Sequence, residues 1–167
     1  IPDDDDEVAI VGYRNRMRAA GRARAAARAQ ANQAFRDAVA PARQALVAAL
    51  AAATSGPQRR AAKIAYGDAI LPAKVARKAA LQSARIDYVE AAEQARIDFL
   101  TIRGAHPEVV ASARYRQAVN LATAEYRAAV TDAQATFRIQ SAPIRITTRT
   151  AGSSASAGQV SHGAAES

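Results

Sequence analysis

In the segment YRQAVNLATAEYRAAVTDAQATF, aromatic residues stand at Tyr115, Tyr126 and Phe137, eleven residues apart each time. The same spacing runs through two earlier segments, as Tyr13, Arg24, Phe35 and Leu46, and as Tyr66, Arg77, Tyr88 and Phe99. Four residues before every one of these eleven anchors stands Ala. Three residues after the anchor, Ala recurs in eight of the eleven. Four residues after it come larger aliphatics, such as Met17, Val39, Leu50, Ile70, Leu81, Val119 and Val130. The anchor and the places three, four and seven residues on share one face of a helix. The repeat is about 3.67 residues per turn against about 3.6 for a straight helix, which predicts a straight or slightly right-handed seam. Small residues at two of its four positions predict axes at the short end of about 8–10 Å.

Half of the 167 residues are apolar, but 47 of them are Ala. Ala buries little area, so this composition predicts long packed helices rather than a thick globular core. Two sequence breaks give the topology. TSGP at 54–57 and GAHP at 104–107 each combine a Gly stop with a Pro suited to a first helical turn. The expected fold is therefore all-α. It has three long antiparallel helices, near 7–53, 58–103 and 107–140, joined by short turns and sharing a hendecad, alanine-rich, coiled-coil-like seam. Pro41 and Pro72 are equidistant from the first turn, which predicts paired kinks in the two legs of a hairpin. The competing expectation is that the first helix ends near Ala40 and a fourth begins.

The organisation expected is an elongated helical bundle over 1–140 with an acidic N-terminal arm, and an extended or flexible tail over 141–167. Ser141-Ala142-Pro143 predicts the end of the third helix. Beyond it, Ile144, Arg145, Ile146, Thr147 and Thr148 begin an alternation through 150 that reads as a strand-like arm. A lone strand needs a partner edge, which another subunit would supply. The low-complexity remainder is expected to gain order only against a partner. The first residue is Ile1, not Met, so something before it is expected to have been removed, a cleaved signal or pro-segment being one of the sources.

The net charge is +8, unevenly spread. Asp3, Asp4, Asp5, Asp6 and Glu7 form an acidic tip suited to a helix N-terminus. A basic stretch follows at Arg14, Arg16, Arg18, Arg22, Arg24 and Arg28, spread around much of a helix. These groups are expected to be solvated, to pair head-to-tail with the acidic tip of a neighbouring copy, or to neutralise phosphates.

Signals for chemistry are few. Cysteine is absent and the two His are His106 and His162, so no thiolate or His-rich metal site is expected. The Asp87, Glu90 and Glu93 group reads as a salt-bridged helix flank. No phosphate-binding Gly loop or nucleophile motif occurs. No apolar run approaches the roughly 20 residues of a membrane-spanning helix.

The expectation is a non-enzyme without cofactor or metal. Its favoured role is a structural, self-assembling protein, the subunit of a filament, surface layer or appendage, or virion. Its partners are other copies of itself as a homo-oligomer or filament, at an extracellular, cell-surface or virion location. The alternative is a basic helical protein that binds or compacts nucleic acid. A third reading lies on membranes. The eleven-residue period is similar to that of lipid-surface helices of the synuclein and apolipoprotein kind, but their sequence motifs are absent, and a narrow Ala-rich stripe suits helix contacts better.

Overall fold

The computed structural model describes the backbone of residues 4–157 and the side chains of residues 6–141. Asp3 lies outside the described residues, as do the side chains of Asp4 and Asp5. The architecture is all-α. Helix α1 spans Asp4–Ala52, α2 Gly56–Ala69, α3 Leu71–Ile102 and α4 Pro107–Ala157. The compact units are Ile1–Asp132 and Ala133–Ser167.

Within the first unit, α1 and the α2–α3 leg pair as an antiparallel hairpin. Its turn is built by side chains. Ser55 caps α2, its Oγ accepting from the Gln58 N–H at 3.4 Å, while Gln58 Oε1 accepts from the N–H groups of Ser55 and Thr54 at 3.1 and 2.8 Å. This reciprocal box satisfies donors that a helix start leaves free. Gly56 is the first residue of α2, not the stop of α1 that the sequence predicts. The second turn keeps the expected grammar. Gly104 has φ +63, a left-handed conformation that only glycine adopts without strain.

The two interior prolines behave differently. Helix α1 continues through Pro41 to Ala52, so no helix ends near Ala40. The return leg divides at Ile70, two residues before Pro72. Proline cannot donate to the carbonyl four residues back. Here it falls in the first turn of α3, where a missing N–H costs nothing. The hydrogen bonds Ile70 N–H to Tyr66 O (3.1 Å) and Lys74 N–H to Ile70 O (3.0 Å) carry the ladder across this division.

Small residues hold the hairpin together. Ala9, Ala20 and Ala31 of α1 and Ala84 and Ala95 of α3 are all buried. Between these alanines the larger side chains meet in pairs. The rings of Tyr13 and Phe99 lie 5.4 Å apart, tilted at 45°. The Arg24 guanidinium stands 4.9 Å from the centre of the Tyr88 ring, and Arg77 stands 5.1 Å from that of Phe35. Leu46 and Tyr66 line one cavity near the turn. The two arginines that interrupt the aromatic pattern therefore each face an aromatic ring across the hairpin.

Helix α4 departs from expectation in two ways. It continues through Pro143 to Ala157, so Ile144, Arg145, Ile146, Thr147 and Thr148 are helical instead of a strand-like arm. A single strand would leave its N–H and C=O groups without a ladder, whereas a helix pairs them internally. Second, the buried residues among its described side chains are Ala113, Ala124 and Ala135, again eleven apart but two residues out of phase with the aromatic anchors. Two residues rotate a helix by about 200°, to nearly the opposite face.

Candidate assembly interface

The contacts across the hairpin distinguish its two sides. Arg16, three residues after Tyr13, is paired with Asp98, one residue before Phe99. The same places in the next layers wall a cavity of about 90 Å³ lined by Ala20, Ala23, Arg24, Ala27, Ala84, Asp87, Tyr88 and Ala91. They also wall one of about 250 Å³ lined by Ala42, Ala45, Leu46, Ala49, Ala62, Ala65, Tyr66 and Ala69. The layer between them has the matching residues Ala34, Ala38, Ala76 and Ala80, all exposed. This side of the hairpin is an alanine trough, open to solvent and closed at one end by the Arg16–Asp98 pair.

The opposite side carries the residues one after and three before each anchor. Asn32, three before Phe35, accepts a hydrogen bond from Arg77 Nε at 2.8 Å, which marks that side. Its other members include Arg14, Arg36, Arg43, Lys63, Lys74, Lys78, Arg85 and Arg96, every one exposed, and no carboxylate. Lys63, Lys74, Arg85 and Arg96 are themselves eleven apart. Sequence reading missed this division. The signal was available in the places flanking the anchors, which are mostly alanine on one side and carry eight Lys or Arg and no carboxylate on the other.

Helix α4 rests on α3 through polar contacts. Asn120 Nδ2 donates to Glu93 Oε1 at 2.7 Å, and Gln117 Nε2 to Gln94 Oε1 at 3.4 Å. The seam face of α3 is already occupied by α1, so α4 can use only another flank. There Asn120 and Gln117 find partners that its aromatic stripe could not supply. Glu93 Oε2 is the one buried side-chain oxygen or nitrogen among the described residues without a hydrogen-bond partner. The consequence is that Tyr115, Tyr126 and Phe137 face outward, 75%, 70% and 65% exposed. Val119 and Val130 are exposed beside them. The described residues do not cover the third copy of the anchor spacing, while Tyr13, Phe35, Leu46, Tyr66, Tyr88 and Phe99 are each half-buried.

The acidic and basic groups at the hairpin's open end are partly spent within the chain. Asp6 accepts from Arg103 Nε and Nη2 at 2.8 and 3.0 Å. That hydrogen bond, and then the carboxylate charge, raise the Arg103 guanidinium above its ordinary value. Arg16 is held by Asp98 and Arg24 by the Tyr88 ring. Arg14, Arg18, Arg22 and Arg28 are exposed. Among the described residues, no three His, Asp or Glu side chains come together as a metal site requires. No helix there is long and apolar enough to cross a membrane.

No protein family, curated protein or solved structure matches this chain.

Proposed function

We propose that this chain is a structural, self-assembling protein and not an enzyme, built to pack through its long helices into a filament, surface layer or virion. The observation that carries the reading is the exposed stripe of α4. Large apolar side chains at a regular spacing, uncovered by the described residues, mark an interaction surface. In this reading the eleven-residue seam sets the straightness of the hairpin, and Pro41 and Pro72 bend its two legs together. Residues beyond 140 serve as an arm that joins copies. The acidic tip and the exposed Arg14, Arg18, Arg22 and Arg28 add contacts between copies at the open end. An outward location, extracellular or virion, fits such an assembly.

Negative-stain electron microscopy of the purified protein tests this directly. Filaments, sheets or particles of uniform size are expected. A field of single hairpins at all concentrations ends the proposal.

A second reading rests on the basic side of the hairpin. Eight exposed Lys and Arg without a carboxylate among them form a surface for a polyanion. A salt titration of duplex binding reads it out. Affinity falling steeply with salt supports it, and no binding at about 50 mM salt refutes it.

A further inference from the structure

Resting on the polyanion reading above, we propose that double-stranded DNA lies lengthwise on one basic face shared by the hairpin and α4. The eight exposed Lys and Arg of the hairpin form its first part. The hydrogen bond from Asn120 to Glu93 carries it on to α4. Glu93 and Arg96 are three residues apart, and Arg116 and Asn120 four, so each pair shares a helix side. Pairing Asn120 with Glu93 and Gln117 with Gln94 runs the two helices antiparallel. Arg116 then comes level with Arg96, and Arg127 with Arg85. All four are exposed.

Charge is divided between the two sides. Over the four helices as far as residue 132, the places one after and three before each anchor hold ten Lys or Arg and no carboxylate. The places one before and three after hold Arg16 and Arg114 against Asp87, Asp98 and Glu125. At the outer margin of the basic face, five after the anchors or six before them, Glu7 and Glu93 are matched by Arg18 and Arg60. Ten cations with no counter-charge among them repel one another, and a polyanion relieves that repulsion.

Spacing favours a duplex. Lys74, Arg85 and Arg96 follow one another at eleven residues along α3, a rise of about 16.5 Å each. A duplex turn is about 34 Å, and its two strands cross one line along its surface twice per turn, about every 17 Å on average. The row therefore meets a phosphate backbone at each step. A bilayer would find little to bury, since Val47 is the one large apolar residue exposed in these places. Single strands would find no ring to stack on, since no aromatic residue occupies them.

Fluorescence anisotropy of the full chain with a DNA duplex of about 20 base pairs, longer than the roughly 50 Å from Lys63 to Arg96, tests the placement. Arg116→Gln with Arg127→Gln is expected to flatten the slope of log affinity against log salt by about 1.8, at about 0.9 per phosphate contact. Arg22→Gln with Arg114→Gln removes the same charge away from this face and is expected to leave the slope unchanged. Arg116→Lys with Arg127→Lys keeps the charge and is expected to keep the slope. All these arginines are exposed, and Gln and Lys are good helix formers, so each variant is expected to retain its helicity by circular dichroism. An unchanged slope in the Arg116→Gln pair, an equal change in the Arg22→Gln pair, or a single strand of the same length bound as tightly as the duplex overturns the placement while the polyanion reading stands. No duplex binding by the wild-type chain at about 50 mM salt overturns both.

Discussion

One substitution, Ala to Leu, should have three different effects at three places on α1. Ala31 is 6% exposed and sits in the hairpin contact, and neither hollow of the trough is lined by it. The extra carbons would bring about 0.8 kcal/mol each on burial if there were room. A buried alanine in the contact leaves them no access to solvent, so the helices must separate, and overpacking of this kind costs about 1–3 kcal/mol. Ala42 lines the hollow of about 250 Å³. Leu there fills empty space, with an expected gain of about 1 kcal/mol. Ala29 is exposed, and Leu there should change stability by less than about 0.5 kcal/mol. Urea unfolding followed by far-ultraviolet circular dichroism gives all three values on one scale. In a chain of this length about 1 kcal/mol moves the melting temperature by roughly 2–4 °C. Equal stabilities for Ala31→Leu and Ala29→Leu would refute the assignment of the buried face.

Arg24→Ala should lose about 0.5–1 kcal/mol of interaction with the Tyr88 ring, measured as the coupling in a double-mutant cycle with Tyr88→Ala; zero coupling removes the cation–π account. Pro41→Ala restores a helical N–H in the middle of α1 and should stabilise the chain by about 1–3 kcal/mol in the same unfolding assay, whereas a loss would show that proline is needed there for packing. Arg103→Ala should speed amide exchange in the first turns of α1, because Asp6 then loses its cross-helix partner. The raised guanidinium value of Arg103 favours the folded state at every pH below its unfolded value, and that contribution fades only in the strongly alkaline range.

Much of the hairpin is legible in the sequence. The alanines four residues before the anchors mark the buried face of α1 and α3 because helix periodicity is local and survives folding. The turn at Gly104 was legible for the same reason, since a left-handed residue needs glycine. What was not legible depends on which of two faces finds a partner. Helix α4 has eleven-residue periodicity on both sides, through Ala113 and Ala124 and through Tyr115 and Tyr126. Only the occupancy of α3 by α1, and the Asn120–Glu93 contact, decides between them. Ile144–Thr150 misled for a related reason. A short alternation of β-branched residues is also compatible with a helix when no strand edge is offered. The anchor arginines were visible as exceptions, but the rings opposite them become apparent only when the hairpin is closed.

The central claim is that the outward stripe of α4 exists to be covered. Sedimentation equilibrium of the wild-type chain over a wide concentration range tests it most directly. The average mass should climb steadily above 17.5 kDa as concentration rises. A single species at the monomer mass throughout would contradict the account.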